Sequence, residues 1–304
     1  MKFSLQSDVT IHNTGIFNSR TNKNVTNLLP YSLFPLLPLT DYSLKHLLCY
    51  NITQRKRGFN LIKFLGLCVQ NLIECFKYIF GGNVRFKTVL TQAASISYDS
   101  LPISLVIAFI SAAVIAIQVS KEFLLTGAEA YIGGTIAVVM IREIAPGFVA
   151  LAIGARAGTA ISAEIANMQV TSQVDAIKTL KINPVGYYFT PRIVAAAITV
   201  PMVVLIAEFV GILGGMFVSL ETINLNPARY MASAWAWMAT KDIYISLLKA
   251  CIFGALIALV CATKGYQTKG GAKEVGTSTT QAAILSTIYM LVADFLINLL
   301  FYIS

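Results

Sequence analysis

Five apolar runs, each near or above the length of a membrane-spanning helix, constrain this chain more than any other feature. They are 101–119, 131–155, 193–220, 243–263 and 281–302. A helix needs about 20 residues to cross the ~30 Å hydrocarbon core of a bilayer. Only 12% of the 304 residues are charged, and soluble domains carry about 25%. The sequence therefore predicts an all-α polytopic membrane protein with five transmembrane helices.

The basic residues of the connections predict the direction of the spans, because inner connections of membrane proteins retain Lys and Arg. Those of one side are Arg85, Lys87, Arg156, Lys178, Lys181, Arg192, Lys264, Lys269 and Lys273. Those of the other side are Lys121, Arg229 and Lys241. The unequal distribution predicts an inner N-terminus and an outer C-terminus.

Two different segments precede the first span. Residues 1–58 are rich in Asn, Ser and Thr and poor in acids, which predicts a poorly ordered extension. This extension is either an organellar transit peptide or an ordinary disordered segment. Residues 61–80 place their polar side chains on one helical face, which predicts an amphipathic helix in the headgroup plane, with a packed core helix as the alternative. The membrane domain is therefore expected to cover residues 59–304.

The second span carries two adjacent charges, Arg142 and Glu143, about half-way along. An ionised side chain at that depth costs at least ~2.5 kcal/mol on insertion scales. Neighbours on a helix point about 100° apart, so each of these charges needs a partner in another span or a wet cavity. Candidate partners are Glu208, Asp294 and Lys249. Two interpretations stay open, a polar lining of a substrate path and a structural buried ion pair.

Glycines four residues apart predict close contacts between helices. Gly154 and Gly158 follow the second span's charges, and Gly211 and Gly215 lie in the third span. Small residues at this spacing let two helix backbones approach each other. The contact is either packing within one subunit or an interface that forms between subunits or moves during gating.

The connection between spans two and three, 156–181, is too polar to cross a membrane but keeps apolar residues at helical spacing. Ser172 and Asp175 resemble a capping box that restarts a helix. With Arg156, Glu164 and Asp175 the segment is suited to docking on a protein of the inner compartment. A helix lying on the membrane surface is the alternative.

Several function classes lack their motifs in this sequence. There is no G-x-x-x-x-G-K-[ST] nucleotide-binding loop, no C-x-x-C pair, and no histidine beyond His12 and His46. No basic stretch is interleaved with aromatic residues in the manner of a nucleic-acid-binding domain. We therefore expect no catalytic residue, no metal site, no cofactor and no nucleic-acid partner.

Several strings of this sequence resemble the MlaE-type permease family of lipid ABC transporters, which includes the trigalactosyldiacylglycerol permease of the plastid envelope. The strings are IREIAP (141–146), GARAGTAISAEIANMQVTSQVDAI (154–177), NPVGY (183–187), PRIVA (191–195), GYQTKGGA (265–272) and VADF (292–295). They occur in the family's order over roughly residues 60–304. The chain departs from the family's pattern at Lys273, Glu274 and Thr277.

The resemblance implies the permease subunit of an ABC transporter that moves glycerolipids or phospholipids between membranes. It implies a homodimer that binds separate ATPase subunits on the inside and an MCE-type substrate-binding protein on the outside. The family's coupling helix, which contacts the ATPase, corresponds to Glu164, Met168, Thr171 and Asp175, and Arg156 is assigned with them. The span that faces the lipid cavity corresponds to Arg142 and Glu143, and the substrate path is expected to include Glu208 and Asp294.

The resemblance and the richness in Asn, Ile, Lys, Phe and Tyr favour a plastid-encoded chain in the inner envelope membrane. A bacterial inner membrane is the alternative. A plastid-encoded chain would have no use for a transit peptide, so residues 1–58 would then be a divergent extension.

The sequence is also compatible with a different transport mechanism. Glu143, Glu208 and Asp294 are intramembrane acids of the kind that relay protons in secondary transporters. A proton-coupled transporter is therefore the alternative to an ABC permease. An intramembrane enzyme is disfavoured, because the sequence lacks a G-x-S-x-G elbow and any histidine in the spans.

Overall fold

The computed structural model describes residues 63–82 and 85–303, with side chains through residue 301, and the regular structure of these residues is entirely helical. The predicted extension 1–58 and the predicted domain boundary at residue 59 lie outside the described residues. A first helix, α1, covers 63–80.

Five further helices of the described chain are long and apolar enough to cross a membrane, which confirms the predicted fold class. They are α2 (Phe86–Thr126), α3 (Glu129–Val170), α5 (Val185–Ile223), α7 (Thr240–Tyr266) and α8 (Ala272–Phe301). Each of them contains or closely matches one of the predicted apolar runs. Two short helices connect them, α4 (Gln173–Thr179) between α3 and α5 and α6 (Pro227–Trp237) between α5 and α7.

The most extensive contact joins α2 to α5 through a stripe of small residues on α2. The stripe has a period of four and is fully buried; its members are Ser100, Ser104, Ala108, Ala112, Ala116 and Ser120. Near its end, the hydroxyls of Ser120 and Ser219 lie 3.4 Å apart. Small side chains let the two backbones approach closely, and the resulting dispersion contacts hold helices together where lipid removes the hydrophobic driving force. The stripe gives no periodic signal in the sequence, because most of it lies inside a uniformly apolar run.

The four predicted packing glycines all lie at contacts within the subunit. A Cβ atom on Gly154 would meet Ile257 of α7, and one on Gly158 would lie 2.9 Å from the sulfur of Cys261. A Cβ on Gly211 would collide with Met140, and one on Gly215 would lie 2.8 Å from the hydroxyl of Tyr230. Within this chain, α3 therefore lies close to both α5 and α7 because of these glycines.

On the predicted inner side, α3 continues well beyond the second span before it turns. The helix ends at Val170, and α4 begins at Gln173, so the expected restart at this point is confirmed. The expected capping box is wrong. Ser172 has a left-handed φ of 60° and makes no side-chain capping bond, and Asp175 instead accepts a hydrogen bond from Lys178 at 3.0 Å. A left-handed residue turns the chain sharply, and this replaces the cap as the reason for the break.

The predicted amphipathic helix α1 is present and packs one face on the bundle. Asn71 donates a hydrogen bond to Thr263 of α7 at 3.0 Å, and Glu74 accepts one from Asn183 at 3.2 Å. Cys75 is fully buried. Large apolar side chains lie exposed on α1; they are Leu65, Leu67, Val69, Ile73, Phe76 and Phe80. Part of the polar face of α1 thus contacts protein, and its large apolar side chains are exposed; the location of α1 in the headgroup plane stays a prediction.

Candidate functional site

The charged part of the second span lies in a local widening of α3. Met140–Ile144 form a π-helical turn, a geometry that is frequent at functional sites. Pro146 follows, and because proline has no N–H, the carbonyl of Arg142 loses the donor that an α-helix would supply. Lys249 of α7 donates to this carbonyl with its Nζ at 2.8 Å. A buried lysine thereby binds the backbone where the helical hydrogen-bond pattern is interrupted.

Five charged side chains from three helices meet around this turn. Arg142 Nη2 lies 3.0 Å from Asp242 Oδ2. The Nζ atom of Lys249 lies 3.0 Å from Glu143 Oε1 and 3.2 Å from Asp294 Oδ1. We call Arg142, Glu143, Asp242, Lys249 and Asp294 the ionic cluster. It links α3, α7 and α8, and its formal charge is negative by one.

The ionic cluster is closed on the α7 side and open on the α3 side. The side chain of Lys249 is 0% exposed and that of Asp242 only 4%, whereas Arg142 and Glu143 are 41% and 44% exposed. Asn298 of α8 also reaches the open side, and its amide donates to Glu143 Oε2 at 3.2 Å. Glu143 can therefore exchange Lys249 for a polar ligand without leaving a buried charge unpaired, because Lys249 keeps its ion pair with Asp294.

The structure brings together three of the four residues assigned to the substrate path. Glu143 and Asp294 meet on Lys249, and Arg142 joins the same cluster through its own partner. Glu208 of α5 has a different local environment: its carboxylate accepts a hydrogen bond from the hydroxyl of Ser246.

Asp242 is the member of the cluster that sequence reasoning missed. It lies one residue before the predicted fourth span, where a charge is ordinary and does not indicate burial. A signal was available, because Asp242, Ser246 and Lys249 are spaced by four and three residues and so share one face of a helix. That face is buried against α3 and α5.

The predicted docking segment forms the inner end of α3 together with α4. Glu164 Oε2 binds Arg192 Nη2 of α5 at 2.7 Å, and Arg192 also donates to the carbonyl of Tyr188 at 2.8 Å. Arg156 lies 3.6 Å from Asp99 of α2, with both side chains about half-exposed. The inner end of α3 is therefore tied by ion pairs to α2 and α5.

The remaining predicted docking residues differ in exposure. Thr171 and Asp175 are exposed and Met168 is partly buried. The hydrogen bond to Asp175 raises the pKa of Lys178, so this exposed ammonium stays charged at neutral pH. We call Glu164, Met168, Thr171 and Asp175 the docking end. Its polar and charged members, Glu164, Thr171 and Asp175, lie exposed at the surface.

The family of this chain follows from its match to a model of a known protein family. The model of the family described as Permease MlaE matches residues 89–300. The chain belongs to the MlaE permease family. Both the ionic cluster and the docking end of this MlaE permease lie inside the matched range.

Relatives of this MlaE permease occur in bacteria and in a chloroplast. A probable ABC transporter permease protein of Rickettsia prowazekii is 36% identical over 214 residues, which cover 70% of this chain and 83% of the relative. One of Synechocystis sp. is 33% identical over 229 residues, 75% of this chain and 87% of the relative. The chloroplastic protein TRIGALACTOSYLDIACYLGLYCEROL 1 of Arabidopsis thaliana is 30% identical over 224 residues, 74% of this chain and 64% of that protein.

Proposed function

We propose that this multi-pass membrane protein is the permease subunit of an ABC transporter that moves glycerolipids or phospholipids between membranes. ATP hydrolysis takes place on a separate ATPase subunit that binds the docking end. The names of the bacterial relatives support the ABC class, and the name of the Arabidopsis relative, which is that of a glycerolipid, supports the lipid cargo.

One structural observation carries the proposal: a single helix, α3, contains the open charges of the ionic cluster together with Glu164 and Met168 of the docking end. Glu143 and Glu164 are 21 positions apart, which corresponds to about 30 Å along a helix. Between them lies a second π-helical turn, Gly154–Gly158. A displacement of the inner end of α3 is thus transmitted along one continuous element, and the widened turns are the places where it can bend.

The mechanism is alternating access driven at the docking end. Closure of the ATPase moves the segment 162–181, and the ion pair between Glu164 and Arg192 transmits the movement to α5. The contacts of α3 with α5 and α7 at the glycine positions then shift and open or compress a lipid cavity. Arg142 and Glu143 face that cavity and bind the polar part of the lipid.

The further partners and the location belong to the same proposal. Two permease subunits form a homodimer, and an MCE-type substrate-binding protein associates with the outer side. The exposed aromatic side chains of Tyr131, Trp235 and Trp237 around α6 give that side a surface suited to a protein or a membrane interface. The membrane is the plastid inner envelope, with a bacterial inner membrane as the alternative; relatives of both origins support this choice.

The experiment is lipid transfer and ATP hydrolysis by the reconstituted complex with Glu164→Gln. The substitution removes the charge that binds Arg192 but keeps the shape of the side chain. We expect ATP hydrolysis to persist while lipid transfer falls by about tenfold, equivalent to ~1.4 kcal/mol of lost coupling. Glu122→Gln is the matched control, because Glu122 is an exposed acid at the other end of the bundle.

Two results would contradict the proposal. Unchanged transfer in Glu164→Gln would remove the coupling role of the docking end. Transfer in ATP-free vesicles under a pH gradient would favour the proton-coupled transporter, and Glu143, Glu208 and Asp294 would be the residues to neutralise next.

A further inference from the structure

A cavity of about 160 Å³ lies at the predicted inner end of the bundle, where α1, α2, α3 and α5 meet. The cavity shares no residue with the ionic cluster. Two arginines, Arg85 and Arg192, line it together with the phenols of Tyr78 and Tyr187, and none of its lining residues is acidic.

Arg85 lies at the beginning of α2, where the chain offers further positive charge. It is the N-cap residue of this 41-residue helix and makes no side-chain capping bond. The first N–H groups of a helix have no intrahelical acceptor, and they give the N-terminus a partial positive charge that favours anions. The Arg85 guanidinium lies 5.4 Å from the centre of the Tyr187 ring, and its Nη1 is 3.5 Å from that hydroxyl. Stacking on the ring holds the guanidinium beside the cavity.

Arg192 also lines the cavity, and its side chain is 7% exposed. Its two Nη atoms donate to Glu164 and to the carbonyl of Tyr188. Its buried Nε has no hydrogen-bond acceptor among the described residues. Buried donors without an acceptor are rare, because each one costs the desolvation of the group without a compensating bond.

We propose that this cavity binds a phosphate group. Guanidinium groups recognise phosphate oxygens, phenol hydroxyls and the first N–H groups of α2 supply further donors, and the volume is large enough for a phosphate. The phosphate is carried by the headgroup of an anionic lipid at the inner membrane surface, or it is free phosphate. Since Met168 of the docking end also lines the cavity, occupancy braces the docking end against α2 and α5. Binding does not require the chain to transport lipid.

The test is ligand-induced thermal stabilisation of the purified full-length protein in mild detergent. The probes are dioleoyl phosphatidic acid, inorganic phosphate and dioleoylglycerol, which has the same acyl chains without phosphate. The test variant is Arg85→Gln. Lys87→Gln is the matched control, because Lys87 is an exposed cation in the same helical turn that does not line the cavity. Tyr187→Phe is a second test variant that removes only a hydroxyl.

We expect saturable stabilisation of the wild type and of Lys87→Gln by phosphatidic acid, and none by dioleoylglycerol. Arg85→Gln should bind phosphatidic acid at least about tenfold more weakly, as the loss of a charged hydrogen bond predicts. Tyr187→Phe should show a smaller loss of affinity. Equal stabilisation by inorganic phosphate would assign the site to free phosphate. Equal weakening in Arg85→Gln and Lys87→Gln would overturn the proposal in favour of diffuse attraction, and so would the absence of saturable binding in the wild type.

Discussion

Helices α7 and α8 are both apolar enough to cross a membrane, yet they are buried to very different extents. Within the most apolar 18-residue window, 67% of the residues of α7 are buried inside the subunit, against 11% in α8. On α7, Gly254 lies against the backbone of Ala196, and Gly265 lies against that of Ser162. On α8, large side chains point outward; they are Ile284, Ile288, Leu291, Val292, Phe295, Leu296, Leu299 and Leu300.

The difference shows that hydropathy and burial are set by different residues. Apolar length determines whether a helix crosses the membrane. Small residues and paired charges determine whether it lies at the centre of the bundle. Helix α7 has small residues and paired charges, with Lys249 and Asp242 buried on one face. Helix α8 contributes Asp294 to the ionic cluster from the periphery, and its Asn298 donates a hydrogen bond to Glu143. The outward face of α8 is left for lipid or for a second subunit.

The largest expected effect comes from removing the central charge of α7 with Lys249→Met. This change leaves Glu143, Asp294 and the Arg142 carbonyl without their common donor. We expect a loss of roughly 3 kcal/mol in stability, the lower end for a broken buried pair, because Glu143 is half-exposed. Thermal unfolding in mild detergent measures the change.

A triple variant separates stability from function. Combining Lys249→Met with Glu143→Gln and Asp294→Asn also removes both acids that pair with Lys249. Neither acid is then left without its cation, so most of the lost stability should return. Lipid transfer should remain low, because Glu143, one of the two charges proposed to face the lipid cavity, is gone. Full recovery of transfer in the triple variant would show that the ionic cluster is structural only.

The second effect tests whether α7 is packed more closely than α8. A Cβ on Gly254 would lie 2.5 Å from the carbonyl oxygen of Ala196, whereas one on Gly276 of α8 would meet no atom within 4 Å. Gly254→Ala should therefore destabilise the protein by about 1–3 kcal/mol. Gly276→Ala should be neutral or stabilise it by up to about 1 kcal/mol, since alanine favours the helix. Equal unfolding temperatures for the two variants would contradict the packing difference.

A smaller effect is expected when the contribution of α8 to the ionic cluster is removed. In Asp294→Asn the ammonium of Lys249 keeps Glu143 and the Arg142 carbonyl. We expect a loss of about 1 kcal/mol or less, well below that of Lys249→Met. The same unfolding assay compares the two variants, and a loss as large as that of Lys249→Met would place α8 at the centre of the cluster.

The smallest effect concerns α1, which packs beside both helices. Burial raises the pKa of the thiols of Cys68 and Cys75 from 9.0 to about 11. Because the folded-state pKa is raised, the stabilising contribution of these neutral thiols is complete below pH 9 and is lost as the pH rises through about 11. At pH 8 each thiol should react with iodoacetamide about a hundredfold more slowly than in the unfolded chain, as peptide mass spectrometry would show. Rapid alkylation in the folded protein would mean that α1 is not docked.

Sequence patterns predicted the spans and the helical segment after the second span well, because apolar length and helical spacing are local properties. The five runs correspond to five helices, and the polar segment after residue 156 is helical as its spacing indicated. Partner choice could not be predicted in this way. Arg142 binds Asp242, which lies 100 residues away, and only the packing of α3 on α7 brings the two together. The turn at Ser172 likewise depends on a left-handed backbone that its capping pattern did not indicate.

The most direct test of the central claim is affinity purification of this chain from native membranes in mild detergent, followed by mass spectrometry of proteins and lipids. We predict recovery of an ATPase that has a P-loop, an MCE-type protein and a bound glycerolipid or phospholipid. Recovery of the chain without any ATPase, even after crosslinking, would contradict the account and favour a transporter that works without ATP.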